Sequence, residues 1–156
     1  MRRILFQMGI AYLLSSCAHT LIPGTTVRDT DDNRAVYKVI EQLQDAIRSR
    51  NVDALLALVS TSYYEDMGSA SNNDDYGYYE LKNTILPESF HAAKEVFLTI
   101  QLHDIQTEGK TAYADVRYTS KARIEVASGS IWDSHKEFNR IEFTKEDGIW
   151  KITAGL

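Results

Sequence analysis

The residue with the most distinctive chemistry is Cys17, the only cysteine among the 156 residues of the chain. Its thiol follows the small pair Ser15-Ser16, and small residues let a strand enter a peptidase cleft. A thiol is also the side chain that can form a thioether. Because Cys17 has no second cysteine to pair with, the remaining chain has neither a disulfide nor a cysteine nucleophile. We therefore expect a covalent modification of Cys17 itself.

The segment before Cys17 has the layout of a signal peptide. Arg2 and Arg3 precede an apolar run from Ile4 to Leu14 that only Gln7 interrupts. The run is about eleven residues long, whereas a helix needs ~20 residues to cross the ~30 Å hydrocarbon core of a bilayer. We therefore expect this segment to be removed rather than kept as an anchor.

The motif Leu14-Ser15-Ser16-Cys17 resembles the lipobox of bacterial lipoproteins, in which the cysteine is acylated and becomes the new N-terminus. The resemblance implies a signal peptide over residues 1–16, then a lipidated Cys17 and a tether over 17–30, with palmitate-type acyl chains as the membrane anchor. Ala18 in place of Asp favours the outer membrane of a Gram-negative cell envelope, facing the periplasm. Ordinary secretion with a free thiol is the alternative interpretation.

Composition restricts what the remaining chain can be. With 44% hydrophobic and 25% charged residues, it is typical of one folded domain. Seventeen Lys and Arg stand against 22 Asp and Glu, so the formal charge is -5. A protein with this balance has no broad basic face for phosphates, and we expect no nucleic-acid partner.

Helical patterns fill the first half of the domain. Thr30 can cap a helix whose apolar residues recur at steps of three and four, and Asn51 can cap a second, short helix. A third helical stretch is predicted from about Tyr76 to Lys94, interrupted near Pro87. The apolar stripe of the first helix comprises Val36, Val39, Ile40, Leu43, Ala46 and Ile47.

The second half alternates apolar and polar residues, as half-buried strands do. Turns are predicted at Glu108-Gly109-Lys110, Ser128-Gly129 and Asp147-Gly148. On this register Tyr118 lies opposite Asn139, and the same face stays apolar through both later hairpins. The pattern predicts an antiparallel meander with helices on one side, an α+β fold.

Three segments resemble the nuclear transport factor 2-like superfamily, which includes SnoaL-like proteins and ketosteroid isomerases. They are Arg50–Leu55, the strand Tyr63–Asp66 and the ending Asp147–Ile152. The resemblance implies that residues 31–156 form a cystatin-like cone, a curved antiparallel sheet wrapped around the N-terminal helices, with a pocket in its wide end. Enzymes, binding proteins and interaction domains share this fold, so the fold does not choose the function.

The same resemblance places Asp66 where isomerase-like members carry a catalytic carboxylate, which could remove a proton next to a carbonyl. Those isomerases also use a tyrosine of the first helix as an oxyanion donor, and that place falls on or near Leu43, which has nothing to donate. The favoured hypothesis is therefore a non-catalytic binding domain. The alternative is a SnoaL-like isomerase or hydrolase that acts on a small apolar substrate with Asp66 as general base.

Five polar residues are the predicted pocket lining: Tyr64, Asp66, Tyr118, Glu137 and Asn139. Strand alternation sends them to the inner face, and their two acids favour a neutral or cationic ligand. The alternative is that the sheet leaves the helix layer there and this face meets water.

The remaining expectations concern partners and cofactors. The membrane is contacted through the N-terminal lipid, and the domain binds a protein partner or a small apolar ligand; a homodimer through the sheet is a further possibility. His19, His91, His103 and His135 lack metal-ligand spacing, and no Gly-rich phosphate loop is present, so we expect neither a metal nor another cofactor.

Overall fold

The computed structural model describes residues 20–66 and 74–156. The predicted signal peptide and Cys17 lie outside the described residues. The helices are α1 (Asp31–Arg48), α2 (Val52–Leu56), α3 (Tyr78–Glu80) and α4 (Leu86–Ala92), with a π-helical segment (Leu81–Ile85) between the last two; the strands are β1 (Tyr64–Glu65), β2 (Tyr76–Gly77), β3 (Ala93–Glu108), β4 (Thr111–Val126), β5 (Gly129–Glu146) and β6 (Ile149–Ala154).

Helix α1 forms as the sequence predicts. The Thr30 hydroxyl accepts a hydrogen bond from the backbone N–H of Asn33 at 3.1 Å, and Asp31 and Asp32 stand in the first turn, where the helix dipole favours acids. The predicted stripe is buried from Val36 to Ala46. Helix α2 is likewise capped by the Asn51 side chain, so both predicted helix starts are confirmed.

The third helical stretch is shorter than predicted, because Tyr76 and Gly77 pair with β1 and the helix begins at Tyr78. The α-helix is interrupted near Pro87, as predicted, by the π-helical segment, in which the Leu86 N–H donates to the Leu81 carbonyl. Pro87 itself lies in the first turn of α4, which needs no N–H from it.

A four-stranded antiparallel sheet in the order β3-β4-β5-β6 forms the second half, so the predicted meander and the α+β class are confirmed. The predicted Asp147-Gly148 turn joins β5 to β6, and both of its residues have positive φ, 48° and 85°. Phe143 pairs with Ile152 as predicted, but an irregularity sets Ala154 opposite Glu142, one residue later than expected.

The hairpin between β4 and β5 turns one residue earlier than predicted, at Ala127-Ser128. The partner of each β5 residue therefore moves by two positions, and Tyr118 pairs with Glu137 rather than with Asn139. A shift of two keeps every side chain on its face, so the inward face was predicted correctly although the pairs were not. The observed apolar pairs are Ala114 with Ile141 and Ala112 with Phe143.

A bulge at His103 interrupts the alternation of β3. Leu102 pairs with Val116, and the next pair is Asp104 with Asp115, so His103 is the extra residue. As a result, Leu102 and Ile105 both belong to the core side despite their odd spacing. The bulge adds twist and helps to bend the long strand around α1.

The core lies between α1 and the inner face of the sheet. Leu43 of α1 and Val116, Ile141, Phe143 and Ile152 of the sheet are almost completely buried. The chain after α2 is pinned to β6 through the Ser60 N–H, which donates to the Ile152 carbonyl at 2.8 Å. No helix among the described residues combines the length and apolarity needed to cross a membrane.

The segment before α1 packs onto the domain instead of extending as a tether. Ile22 and Val27 are buried. They belong to a small hairpin in which the Ile22 N–H donates to the Val27 carbonyl at 2.9 Å and the Asp29 N–H donates to the Thr20 carbonyl at 2.7 Å. The folded domain therefore begins by Thr20 rather than at residue 31.

The two tryptophans test the observed faces of the sheet. Trp150 is 3% exposed and donates to Asp32, whereas Trp132 is 48% exposed. Truncating a buried Trp costs about 3–5 kcal/mol, so we expect Trp150→Ala to lower the free energy of unfolding by that amount and Trp132→Ala by clearly less. Urea denaturation of the two variants measures both values, and equal losses would contradict the assignment of faces.

Candidate functional site

An apolar cavity of about 230 Å³ opens at the end of the domain where the helices diverge from the sheet. Helices α1 and α2 supply one wall, the π-helical segment and α4 another, and Tyr118 of β4 the floor. The lining residues are Ile47, Leu55, Tyr76, Leu81, Ile85, Leu86, Ser89, Phe90, Tyr118 and Leu156.

A polar cluster beside the cavity holds the segment Gly155-Leu156 in place. The Glu65 carboxylate accepts from the Tyr63 hydroxyl at 3.0 Å and from the Gly155 N–H at 2.7 Å. The Leu156 N–H donates to the Tyr63 hydroxyl at 3.2 Å, and the Tyr76 hydroxyl donates to the Leu156 carbonyl at 3.1 Å. Both bonds to Glu65 reach its Oε2 atom, which therefore holds in place the chain segment that closes the cavity.

The tyrosines of this region have raised pKa values and keep their hydroxyl protons. Burial raises the pKa of Tyr63 well above its usual range, and the neighbouring Tyr76 hydroxyl adds to the rise. Burial also raises the pKa of Tyr118, and the negative charges of Glu137 and Glu65 reinforce that shift. These phenols are neutral at physiological pH and can donate and accept hydrogen bonds without bringing charge into the cavity.

The five predicted lining residues fall at different places. Tyr118 lines the cavity, and its strand partner Glu137 is exposed. Asn139 donates to the Gly155 carbonyl at 3.2 Å and so helps to hold the closing segment. Tyr64 and Asp66 are both exposed at β1, where the Tyr64 hydroxyl donates to Asp75. The structure thus brings Tyr118 and Asn139 to the cavity region and leaves the other three at the surface.

Sequence reasoning missed Tyr63, Glu65 and Tyr76. The run Tyr63-Tyr64-Glu65-Asp66 offers an aromatic residue and an acid on either face of a strand, and the prediction chose the pair that faces solvent. Strand β1 has only two residues, too few for alternation to reveal its orientation. The structure settles the orientation, because Tyr63 is buried and Glu65, two residues later on the same face, points inward with it.

The chemistry of the cavity suits binding. Among the described side chains that line it, none is a carboxylate, an amine or an imidazole, and the polar atoms are the hydroxyls of Tyr76, Ser89 and Tyr118. Within residues 20–66 and 74–156, no three His, Cys, Asp or Glu side chains gather as metal ligands would. The site can therefore hold a small apolar molecule and offer it a few hydrogen bonds.

A wider groove of about 440 Å³ lies at the β3–β4 hairpin. Its lining is largely polar, and its cation is already engaged: Arg140 pairs with Asp115 at 2.7 Å and stacks over the Tyr113 ring at 4.0 Å. The smaller cavity is the better candidate because its lining is predominantly apolar and holds no ion pair among the described residues.

Comparison with known proteins identifies the architecture. No protein-family model matches the chain, and no curated protein matches its sequence. Among solved structures, a conserved protein from Planctomyces limnophilus has a TM-score of 0.68 at 15% identity over 80% of this chain and 92% of that one. A protein of the nuclear transport factor 2-like family from Streptomyces avermitilis gives 0.63 at 12%, over 80% and 93%.

A hexachlorocyclohexane dehydrochlorinase is also similar, with a TM-score of 0.62 at 12% identity over 80% of this chain and 82% of that one. Identities this low show a shared fold and nothing finer. The expected cone, a curved antiparallel sheet with helices inside it, is confirmed.

Gly155 tests the closure of the cavity. Its φ is +89°, and a Cβ atom there would lie 2.0 Å from the Arg140 carbonyl oxygen. Gly155→Ala should therefore lower the free energy of unfolding by more than 2 kcal/mol, roughly, since strain and overlap add. Gly24→Ala is the control, because Gly24 has a similar φ of +79° but nothing within 4 Å. Thermal unfolding compares them, and equal shifts would show that the overlap is relieved without cost.

Proposed function

We propose that this nuclear transport factor 2-like cone is the ligand-binding domain of a lipid-anchored protein of the bacterial cell envelope, facing the periplasm from the outer membrane. Cys17 carries the anchor, and the cavity beside Tyr118 takes a small, neutral, apolar ligand. The observation that carries the binding function is the cavity, which is apolar, partly enclosed and free of charged side chains among its described lining residues.

The size and lining of the cavity define the ligand class. Its volume of about 230 Å³ is below the ~300–1,000 Å³ of sites that hold drug-sized molecules, which favours a small ligand. Phe90 and the aliphatic residues provide apolar contact, while Tyr76 and Tyr118 can hydrogen-bond one polar group. An ionised ligand would lose its hydration without finding an opposite charge in the lining.

The catalytic alternative has less support. Asp66 is exposed at the end of β1 and is not among the lining residues, so it is not placed to take a proton from a ligand inside the cavity. Leu43, at the place where the resemblance would put an oxyanion donor, is completely buried in the core. Glu65 lies in the polar cluster beside the site, and its hydrogen bonds tie it to Tyr63 and Gly155.

The anchor rests on the N-terminal sequence. Only Ala18 and His19 separate Cys17 from Thr20, so even when fully extended the three peptide units of this link span only ~10 Å. A domain that begins by Thr20 is therefore held close to the bilayer. The multiple acyl chains of a mature lipoprotein are sufficient for stable anchoring without a membrane-spanning helix.

The ligand site is tested with N-phenylnaphthylamine, a neutral probe whose fluorescence rises in apolar surroundings. We expect saturable enhancement with the wild-type chain and its loss in Ser89→Phe, because Ser89 is an exposed lining residue and a ring there obstructs the cavity. Thr84→Phe is the control, since Thr84 is exposed on the preceding helical segment and does not line the cavity. Equal binding by both variants would exclude this cavity as the site.

The anchor is tested by metabolic labelling with an alkyne-bearing fatty acid in a bacterial host. The wild-type chain should incorporate the label and lose residues 1–16, and Cys17→Ala should do neither, because only the thiol forms the thioether. A Cys17→Ala chain with Ser130→Cys supplies an exposed thiol elsewhere and should remain unlabelled. Labelling or processing of the Cys17→Ala chain would contradict the lipoprotein proposal.

A further inference from the structure

The outer face of the sheet, which points away from the helices, carries a cluster of exposed rings and cations. We call this cluster the outer patch, and it consists of Phe97, Arg117, Lys121, Trp132, Lys136 and Phe138. Phe97 is 58% exposed, Trp132 48% and Phe138 68%. Such large apolar side chains gathered on one exposed face mark an interaction surface.

Cations lie against these rings. The Arg117 guanidinium stands 4.2 Å from the centre of the Phe138 ring, and Lys121 lies 4.6 Å from that of Trp132. Within residues 20–66 and 74–156, no ion pair neutralises the three cations of the patch. The Arg117 Nε atom is buried without a hydrogen-bond acceptor. The patch therefore combines apolar area with three positive charges, of which those of Lys121 and Lys136 lie on side chains exposed to an anionic partner.

The neighbouring cations of the same face differ in this respect. Arg123 pairs with Glu95 at 2.5 Å, and Arg140 pairs with Asp115 at 2.7 Å. On the outer face, the arginines at the margin of the patch are therefore neutralised by ion pairs, whereas the cations within the patch are not. The total charge of -5 conceals this separation, because it sums over all sides of the molecule.

The N-terminal hairpin leads to the edge of the outer patch. The Thr26 hydroxyl donates to the His103 carbonyl at 3.2 Å, and the His103 ring lies 5.3 Å from the Phe138 ring. The turn end of the hairpin therefore contacts β3 beside the patch, and Thr20 lies at the opposite, open end, where its carbonyl accepts from the Asp29 N–H. Because only three peptide units join Cys17 to Thr20, an anchored lipid would hold Thr20, at the start of this hairpin, within ~10 Å of the bilayer.

We propose that the outer patch lies on the membrane surface, with Lys121, Lys136 and Arg117 at the phosphates of anionic lipids and the rings of Trp132, Phe97 and Phe138 in the interfacial region. This inference rests on the proposed anchor at Cys17. Aromatic rings with cations beside them suit the headgroup level of a bilayer. The acids nearest the patch on this face, Glu95 and Asp115, are paired with Arg123 and Arg140, so they weaken the attraction less than unpaired carboxylates would.

A second copy of the chain is the competing occupant of this face, since the expected homodimer would use the same sheet. A two-fold contact centred on the outer patch would bring the three cations of one copy against those of the other. The nearest acids, Glu95 and Asp115, are already paired with Arg123 and Arg140. Charge complementarity therefore favours an anionic bilayer over a second copy.

The test uses the chain from residue 17 onward with Cys17→Ser, so that any binding is independent of the lipid. Trp132 is the exposed tryptophan and Trp150 the buried one, and a Trp150→Phe background isolates the Trp132 emission. With vesicles of phosphatidylglycerol and phosphatidylcholine in equal parts, we expect a blue shift of this emission. The shift should vanish at high salt and be absent with phosphatidylcholine alone.

A matched pair of variants locates the contact. Lys121→Gln with Lys136→Gln should weaken partitioning about 25-fold, since each cation near an anionic surface contributes roughly fivefold. Lys38→Gln with Lys82→Gln removes the same charge from exposed positions on the helices and should leave partitioning nearly unchanged. Co-sedimentation with the vesicles measures both, and circular dichroism confirms that the variants are folded.

Three results would overturn the proposal. They are equal blue shifts on anionic and zwitterionic vesicles, equal losses in the two double variants, and a dimer in analytical ultracentrifugation whose Trp132 is shielded from acrylamide without any lipid. The last result would assign the face to a second copy. Failure of fatty-acid labelling at Cys17 would instead reject the anchor. The vesicle experiment would still test the outer patch, because the Cys17→Ser chain carries no lipid.

Discussion

The packing of α1 against one face of the sheet is the interaction on which the other features depend. Leu43 and its neighbours fill the space beneath Ile141, Phe143 and Ile152, and polar side chains of α1 fasten the helix to the edge strand: Gln44 accepts from the Ile100 N–H at 2.7 Å, and Arg48 donates to the Leu98 carbonyl at 2.6 Å. Because the apolar stripe of α1 ends at Ile47, the helix no longer fills the cone beyond that point. The cavity occupies the space that remains.

This arrangement gives the two faces of one sheet different tasks in the proposed function. The inner face supplies Tyr118 to the cavity, and on the same strand Arg117 and Lys121 belong to the outer patch. Strand alternation alone separates them, since neighbouring side chains point to opposite sides. A ligand site and a membrane-facing surface can therefore share one strand without sharing a side chain.

The parts of the fold that were predictable are those in which many residues indicate the same element or the same face. Six apolar positions and a cap define α1, and the alternation of β4 and β5 defines the inner face. Alternation has a period of two, so it could not separate a turn at Ser128-Gly129 from the observed one at Ala127-Ser128. Nor could it anticipate the extra residue at His103, which leaves no compositional mark.

The site was less predictable because it depends on short elements and on chain positions distant in sequence. Glu65 acquires its role from the Gly155 N–H, which is 90 residues away. The outer patch escaped notice for a related reason: its cations come from β4 and β5, and only the register places Arg117 beside Phe138. Total charge is a sum over the molecule, whereas a surface acts through its local distribution.

The small hairpin before α1 also has a mechanical meaning. In an anchored chain, a pull on the lipid would separate Thr20 from Asp29 at the open end of the hairpin, so its hydrogen bonds would carry the load one after another, as in a zipper. Peeling this hairpin away would withdraw the side chains of Ile22 and Val27 from the core and lengthen the free link from three peptide units to about thirteen, or from ~10 Å to ~40 Å of extended chain. Tension on the anchor would thus lengthen the link between the bilayer and the rest of the domain.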